Sequence, residues 1–339
     1  IIDNLFLLEG IMKFVAFNVR EDERRYFEEW SKENGIEVSL KKEEITPDNV
    51  SETVGYDAVI GLQTGLYPDN LFKELSDANI KVFSVRNVGV DNINLDDAKQ
   101  NGVAVTNVPA YSPSAIAEFS VTQLLQLLRN QNLFRKRMAK QDYCWAPFVG
   151  KELGKMTVGV MGTGRIGRAA IQIYKGFGAK VIAYDPFHNP ELEKEGIYVE
   201  KEDLLKKADV ITLHMPATDD DYHFINEKTI SMMKDGAYIV NTARGALIDT
   251  SALVEALKSG KLAGAALDTY ENEASIFNHD LEGQEIEDET FKELIKLDNV
   301  VVSPHIAFYT NVAVENMVKI SLDSAKEVIE TGTSSTLVK

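Results

Sequence analysis

The sequence predicts an α/β protein made of two doubly wound parallel-sheet domains. Short apolar runs alternate with amphipathic segments along most of the chain, beginning with KFVAFN, IEVSL and DAVIGL. Such alternation is typical of βαβ units, which build parallel sheets with helices on both faces. A length of 339 residues is enough for two domains with ordinary cores.

The first domain is predicted from the strand candidates before residue 108. These are KFVAFN, IEVSL, DAVIGL, KVFSVR and VAVTN, with helices expected near residues 21–34 and 71–78. A glycine turn, RNVGVD at residues 86–91, follows KVFSVR. It would lie at the carboxyl end of a strand, where open α/β sheets bind ligands.

The domain limits follow from a connector and from the last helix. NVPAYSPS, residues 107–114, is an extended connector in which Ser112 is a plausible N-cap and Pro113 the first helical residue. A final amphipathic helix, predicted over 312–329, can return to cover the first domain. We therefore predict one domain of residues 12–110 plus 309–339 and another of residues 111–308. Residues 1–11 are interpreted as an appended segment, because a strand pattern begins after Met12.

The second domain contains TVGVMGTGRIG, residues 157–167, in which an apolar strand ends in a glycine-rich turn that opens a helix. Gly162 suits the tight turn, Gly164 suits close approach of backbone to a pyrophosphate, and Gly167 suits close packing of helix on strand. Unpaired N–H groups at the helix start would bind the pyrophosphate. Glycine turns after strands also occur for structural reasons, so the motif alone leaves both interpretations open.

The next strand candidate, KVIAY, ends at Asp185. A carboxylate there can accept hydrogen bonds from both ribose hydroxyls of an adenosine and would repel a 2′-phosphate. Residues 186–190 contain no Lys or Arg that could bind such a phosphate. This favours NAD over NADP, the alternative being a solvated turn aspartate.

Further strand candidates follow at IYVE, DVITLHM, AYIVNTA, LAGAALDTY and NVVVSPH. A helix is expected at residues 251–258, with Thr250 as a possible cap. Arg244, Glu273 and His305 each come after a different one of these strands. Because the carboxyl ends of parallel strands share one edge, these groups can converge on one nicotinamide.

Each of these residues also has a plain structural interpretation. The arginine could form a loop salt bridge, the glutamate could be solvated, and the histidine could be a satisfied structural residue. Their joint occurrence beside a dinucleotide turn favours catalysis. Metal binding is not predicted, because the five histidines and Cys144 show no ligand spacing.

Composition restricts the class of partner. The formal net charge of −17 argues against nucleic acid or an anionic membrane. No apolar run approaches the roughly 20 residues needed to span a bilayer. A single cysteine, Cys144, excludes an intrachain disulfide framework and fits a reducing, cytoplasmic location.

The motifs RNVGVDNIN, NVPAYSPSAIAE, GTGRIG, NTARG, LDTYENE and SPHIAFYT occur in this order. Together they resemble the NAD-dependent D-2-hydroxyacid dehydrogenases, particularly the bacterial D-lactate enzymes, from Met12 to the carboxyl terminus. The resemblance implies a flavodoxin-like substrate domain, a Rossmann-type NAD domain, a cleft between them, and a homodimer formed through the NAD domain. It also implies reduction of a small 2-oxo acid, expected to be pyruvate, to the D-hydroxy acid.

By the same resemblance His305 is the acid/base, Glu273 its carboxylate partner and Arg244 the substrate anchor. Physical chemistry agrees, since reduction of a carbonyl needs a proton donor and a carboxylate neighbour keeps more of the imidazole protonated. A guanidinium binds a carboxylate as a planar fork. The implied cofactor contacts are Gly162, Gly164, Arg165, Ile166, Gly167, Asp185, Pro216, Thr242, Ala243, Arg244 and Asp268. The implied substrate contacts are Val88, Gly89, Tyr111, Phe308 and Tyr309.

Three alternatives stay open at this point. GLQTGLY at residues 61–67 is similar to D-2-hydroxyisocaproate dehydrogenases, which take larger branched acids. Because one methylene changes discrimination by only about 1–3 kcal/mol, small pocket differences can redirect the preference. Related folds also serve as NADH-sensing transcriptional corepressors, which bind the cofactor without turnover, or as hydrolases that hold NAD permanently.

Overall fold

The computed structural model of the chain describes residues 12–63 and 65–338. These residues form two compact units. The first runs to Ser112 and resumes at Thr310, and the second is Pro113–Tyr309. The interpretation of residues 1–11 as an appended segment lies outside the described residues.

The described strands are short and mostly buried. They are β1 (Lys13–Ala16), β2 (Glu37–Leu40), β3 (Ala58–Gly61), β4 (Val82–Val85), β5 (Ala104–Thr106), β6 (Thr157–Met161), β7 (Lys180–Tyr184), β8 (Val210–Leu213), β9 (Ala237–Asn241), β10 (Leu262–Leu267) and β11 (Val300–Val302).

Helices occupy most of the connections between these strands. They are α1 (Arg24–Asn34), α2 (Leu71–Asp77), α3 (Leu95–Gln100), α4 (Pro113–Leu128), α5 (Gln131–Met138), α6 (Arg165–Gly176), α7 (Pro190–Lys194), α8 (Lys201–Lys207), α9 (Glu227–Met232), α10 (Thr250–Lys258), α11 (Glu289–Lys296) and α12 (Asn311–Thr331).

The first unit is built on a parallel sheet of order β2-β1-β3-β4-β5. This is the flavodoxin-like order of a doubly wound sheet. Alternate residues of β1 enter different cores, with Val15 on one face and Phe14 and Ala16 on the other. Helix α12 lies on the second face, where Ser84 donates a hydrogen bond to the Ser321 carbonyl over 2.8 Å.

The second unit is built on a parallel sheet of order β11-β10-β9-β8-β6-β7. It also has an apolar core on each face: Val158 and Val160 enter one, and Ile211 and Ile239 enter the other. The two sheets confirm the predicted fold class. In this sheet β7 lies on one side of β6 and β8 lies on the other, so the order in which strands are added reverses between β6 and β8. Ligands of such sheets bind at that switch point.

Two local predictions were wrong. The segment IYVE does not form a strand; only Tyr198 bridges in parallel to Ala183 of β7. Tyr198 therefore extends the sheet by one residue, and no full strand forms there. The cap of α10 is Asp249, whose side chain accepts a hydrogen bond from the Ala252 amide, and Thr250 is already helical.

Candidate active site

The glycine turn after β6 is shaped by close backbone contacts. Gly162 has a φ of 88°, and a Cβ there would lie 2.7 Å from the His214 carbonyl oxygen. A Cβ on Gly167 would lie 2.0 Å from the Gly162 carbonyl oxygen. Any side chain at either position would push the turn away from β8 or α6, so both contacts require glycine.

The start of α6 has the properties of an anion site. The helix begins at Arg165, and its N-cap residue, Gly164, provides no side-chain cap. A Cβ on Gly164 would meet nothing within 4 Å among the described residues, so the backbone is accessible there. Arg165 is exposed and Ile166 half-buried beside it. Uncapped N–H groups at an accessible helix start fit a pyrophosphate.

Asp185 follows β7 and is tied to the glycine turn. Its Oδ2 accepts hydrogen bonds from the Thr163 amide over 2.6 Å and from the Thr163 hydroxyl over 3.1 Å. Its Oδ1 accepts from the Phe187 amide over 2.8 Å. Tyr198 supports the arrangement, because its hydroxyl lies 2.8 Å from the Thr163 hydroxyl. The carboxylate is thereby fixed beside the turn, where an adenosine ribose would lie.

Two polar atoms that follow the neighbouring strands β8 and β9 are buried without a hydrogen-bond partner among the described residues. They are Nδ1 of His214, which follows β8, and the hydroxyl of Thr242, which follows β9. Burial lowers the pKa of His214 to about 4, so its imidazole is neutral at pH 7. Unpartnered buried groups at the carboxyl edge of the sheet that carries the glycine turn fit a polar cofactor. Pro216 and Ala243 continue the same segments.

His305 and Glu273 form a direct pair after β11 and β10. His305 donates a hydrogen bond from Nδ1 to Oε1 of Glu273 over 2.7 Å, and Oε2 of Glu273 accepts from the Tyr270 amide over 2.9 Å. Burial opposes protonation of the imidazole. The hydrogen bond and charge of Glu273, with the charge of Asp268, outweigh that effect and raise the pKa of His305. The residue therefore keeps a proton to higher pH than a free histidine.

Asp268 holds the turn that contains His305. Its carboxylate accepts hydrogen bonds from the Ile306 amide over 2.9 Å, from the Ala307 amide over 2.7 Å and from the Ser303 hydroxyl. Its carbonyl accepts from the His305 amide over 2.8 Å. His305 has a φ of 56°, a left-handed conformation that needs such support in a non-glycine residue. Burial raises the pKa of Asp268 despite these donors.

Arg244 lies at the end of the loop after β9, and the next residue, Gly245, packs closely against the backbone that precedes Glu273. A Cβ on Gly245 would lie 2.1 Å from the Tyr270 carbonyl carbon and 2.3 Å from the Glu271 amide nitrogen. The loop can therefore approach the segment this closely only with glycine. Arg244 is also near enough to His305 for its charge to oppose the raised pKa of that imidazole.

The structure thus brings Arg244, Asp268, Glu273 and His305 together at one sheet edge. The predicted aromatic residues Phe308 and Tyr309 follow in the same unit, with ring centroids 5.8 Å apart, and Tyr309 is 49% exposed. The remaining predicted substrate residues, Val88, Gly89 and Tyr111, belong to the first unit.

Within the first unit, side-chain amides order the backbone around these residues. Asn107 donates to the Val88 carbonyl over 2.7 Å, and Asn87 donates to the Gly89 carbonyl over 2.6 Å. Asn316 of α12 donates to the Tyr111 carbonyl over 2.7 Å. The roles of Val88, Gly89 and Tyr111 as substrate contacts stay predictions.

Sequence reasoning missed several residues of the site. Thr163 and Tyr198 hold Asp185, Ser303 holds Asp268, and His214 lies against the glycine turn. Position in the motifs could have indicated Thr163, which lies inside the fingerprint, and Ser303, which precedes Pro304 and His305. Tyr198 gave no comparable signal, because its role depends on a contact across 35 residues.

A dinucleotide turn that shares a sheet edge with an imidazole–carboxylate pair is the arrangement of a nicotinamide-dependent oxidoreductase. The model of the NAD-binding domain of D-isomer-specific 2-hydroxyacid dehydrogenases matches residues 121–307. A D-lactate dehydrogenase from Lactiplantibacillus plantarum is 57% identical over 97% of this chain and 99% of its own. The chain belongs to the D-isomer-specific 2-hydroxyacid dehydrogenase family, and its cofactor is NAD.

Solved structures agree with this assignment. A D-2-hydroxyisocaproate dehydrogenase is 45% identical with a TM-score of 0.89, covering 96% of this chain and 99% of its own. The NAD-complexed D-isomer-specific 2-hydroxyacid dehydrogenase of Lactobacillus delbrueckii subspecies bulgaricus is 39% identical with a TM-score of 0.87, covering 96% and 100%. Across residues 12–63 and 65–338, no helix combines the length and apolar character required to cross a membrane.

Proposed function

We propose that the chain catalyses the NADH-dependent reduction of pyruvate to D-lactate. The observation that carries this proposal is the His305–Glu273 pair. Glu273 occupies Nδ1 of the imidazole and raises the pKa of His305, so Nε2 presents the proton that a developing alkoxide requires. When bound, NADH supplies the hydride.

The other residues of the site bind and orient. Arg244 binds the substrate carboxylate through its guanidinium, because a planar fork matches the two carboxylate oxygens. Asp185 and the uncapped start of α6 hold the adenosine ribose and the pyrophosphate of the cofactor. Asp268 keeps the turn at His305 in place. These assignments combine the family resemblance with the contacts that each residue makes.

The direct test mixes the protein with NADH and pyruvate and follows absorbance near 340 nm. We expect NADH oxidation, with D-lactate as the product in a stereospecific assay. Absence of oxidation with every 2-oxo acid tried would overturn the proposal. An L-product would contradict the proposed D stereochemistry.

A second candidate substrate class is the branched 2-oxo acids. The observation that favours it is the likeness to a D-2-hydroxyisocaproate dehydrogenase of known structure, which has a TM-score of 0.89. Comparison of kcat/KM for pyruvate with that for 4-methyl-2-oxopentanoate distinguishes the two. A higher value for the branched acid would replace pyruvate as the preferred substrate.

We also propose that the protein is a homodimer formed through the segment after α4. Helix α5 has no buried residues. Tyr143, Trp145 and Val149 are 72%, 79% and 89% exposed, which is unusual for large apolar side chains so near in sequence. Lys136 holds the segment to its own unit through Asp298 over 2.6 Å. Light scattering should give a dimer for the parent protein and a monomer for Trp145→Glu. A dimeric Trp145→Glu variant would exclude this surface.

A cytoplasmic location is proposed on the chemistry of Cys144. Its thiol is free and exposed, as suits a reducing compartment. Fractionation of cells that produce the protein should recover it with cytoplasmic markers, and recovery outside the cytoplasm would overturn this location.

A further inference from the structure

A buried hydrogen-bond chain connects helix α4 to the turn that contains His305. The side-chain amide of Gln123 donates from Nε2 to the Ser303 hydroxyl over 2.6 Å. Ser303 in turn donates to Oδ1 of Asp268. Both Gln123 and Asp268 are almost completely buried, at 1% and 0% exposure. This series of hydrogen bonds therefore runs from the middle of a core helix to the carboxylate that holds the turn at His305.

The Ser303 hydroxyl, in the centre of this series of hydrogen bonds, fixes which group donates and which accepts. Ser303 has one hydroxyl hydrogen, and Asp268 is the acceptor that takes it. The hydroxyl oxygen must then accept, so Gln123 has to present its NH₂ group rather than its carbonyl oxygen. A residue without a donor at position 123 would remove one of the two hydrogen bonds that orient the Ser303 hydroxyl toward Asp268.

Gln123 is a poor choice for packing alone. Its Oε1 atom is buried without a partner among the described residues. An unpaired buried amide oxygen costs roughly 1–3 kcal/mol, and an unbranched apolar side chain of the same size avoids that cost. Among residues 12–63 and 65–338, its side-chain amide gains one hydrogen bond, to Ser303. This balance indicates a role in the site rather than in the stability of α4.

We propose that Gln123 is a positioning residue for His305, acting through Ser303 and Asp268. Asp268 accepts the amides of Ile306 and Ala307, on the carboxyl side of His305, and its carbonyl accepts the His305 amide. Fixing this one carboxylate therefore fixes the left-handed backbone of the histidine. The inference rests on the proposed function, because it assigns a means of aligning the acid/base of that reaction.

The test compares Gln123→Met with the parent protein and with Gln126→Met, a matched change one turn along the same helix. We expect Gln123→Met to lower kcat for the 2-oxo acid about tenfold, since small misplacements of a catalytic group can cost up to ~100-fold. The dissociation constant for NADH should be unchanged and Tm should not fall. Gln126→Met should keep the parent kcat. A parent-like kcat in Gln123→Met would overturn the proposal.

A double-mutant cycle with Ser303→Ala tests the path. If Gln123 acts through Ser303, the double variant should lose no more kcat than Ser303→Ala alone, whereas independent packing effects would multiply. Multiplying losses would overturn the proposal. If Gln123→Met lowers Tm, Ser303→Ala, which removes only one hydroxyl, carries the test: a folded Ser303→Ala variant with parent kcat overturns it as well.

A third measurement does not depend on turnover. The imidazole nitrogen shifts of His305, assigned by their loss in His305→Gln, should change in Gln123→Met and Ser303→Ala but not in Gln126→Met. Unchanged shifts would overturn the positioning role. Absence of turnover in the parent protein would instead overturn the proposed function, so the two failures are distinguishable.

Discussion

Nδ1 of His305 lies 2.7 Å from Oε1 of Glu273, and the second oxygen of that carboxylate is held by the Tyr270 amide. The glutamate is thus fixed by backbone before it contacts the imidazole. Its hydrogen bond and charge counteract burial and raise the pKa of His305. The pair is a preorganised acid that keeps its proton to higher pH than a free histidine does.

Glu273→Gln removes the charge and keeps the side-chain size. Reduction needs the imidazolium, so activity falls as pH rises through the pKa of His305. Without the carboxylate that pKa falls, and the high-pH limb of the kcat/KM profile for reduction should move to lower pH. A pH profile of NADH oxidation measures the limb. An unmoved limb would mean that another group is the acid.

His305→Gln should lower kcat by roughly 10²–10⁴, the usual contribution of a positioned general acid. Binding of NADH should persist, because the glycine turn and Asp185 make no direct hydrogen bond with His305 in the described residues. Steady-state kinetics and NADH fluorescence measure the two effects separately. Parent-like turnover would remove His305 from the role of acid, and loss of NADH binding would indicate a collapsed site.

The sequence was sufficient for the fold class because each element carries its own periodic signal. Gly162, Asp185 and His305 could also be predicted as site candidates, since they follow buried strands within recognisable motifs. Gln123 could not be found in this way. It lies in the middle of an amphipathic helix, and nothing in its local pattern distinguishes it from Gln126, so only the contact across 180 residues with Ser303 reveals it.

The strand predicted at IYVE shows the opposite limit. A β-branched and aromatic run predicts extended backbone, yet only Tyr198 pairs with β7. Its hydroxyl accepts the Asn189 amide over 2.9 Å and contacts Thr163, and its ring stacks on His188 at 4.0 Å between centroids. Tertiary contacts of one aromatic side chain decide this segment, and such contacts leave no periodic signal.

Protonation of His214 should destabilise the second unit in mild acid. Burial lowers its pKa to about 4 in the folded state, against about 6.5 unfolded. Above about pH 6.5 the imidazole is neutral in both the folded and the unfolded state, so its burial causes no loss of stability. As pH falls toward 4, the unfolded chain binds the proton more readily than the folded one, and the free energy of unfolding decreases. Between pH 7 and pH 5 the loss should be about 1–2 kcal/mol.

Guanidinium unfolding at the two pH values measures this loss. In His214→Gln the difference in unfolding free energy between pH 7 and pH 5 should be smaller than in the parent by that amount. His279→Gln, at an exposed histidine, is the matched control and should keep the parent difference. An equal difference in all three proteins would show that His214 titrates normally.

The buried pair of Arg86 and Glu23 should be a major determinant of the stability of the first unit. Both side chains are 0% exposed, with Nε of Arg86 3.0 Å from Oε1 of Glu23, and the guanidinium also donates to the Asn18 carbonyl over 2.8 Å. Arg86→Met removes the buried guanidinium and, among the described residues, leaves the Glu23 carboxylate with Arg20 alone, whose guanidinium lies 3.5 Å from Oε1 and whose amide donates to Oε2 over 3.0 Å. This loss should cost up to about 3–5 kcal/mol in unfolding free energy.

Chemical denaturation tests this value against Lys73→Met, which breaks the exposed pair with Asp77 and should cost less than about 1 kcal/mol. Adding Glu23→Leu to Arg86→Met should restore part of the stability, because the buried carboxylate that has lost its buried guanidinium partner is then gone. If the double variant is less stable than Arg86→Met, the Glu23 carboxylate stabilises the unit through its contacts with Arg20, and the pair with Arg86 is not the source of the cost.

Asp185 should determine the choice between NADH and NADPH. Its carboxylate is held by the Thr163 and Phe187 amides, so it cannot turn away from a 2′-phosphate without breaking both bonds. Asp185→Asn removes the charge while keeping an acceptor. Because like charges brought together cost several kcal/mol, the ratio of kcat/KM for NADPH to that for NADH should rise by about 10- to 100-fold.

Asp203→Asn, at an exposed aspartate of α8, should leave the ratio unchanged. If the ratio stays constant in Asp185→Asn as well, the charge of Asp185 does not determine the choice of cofactor.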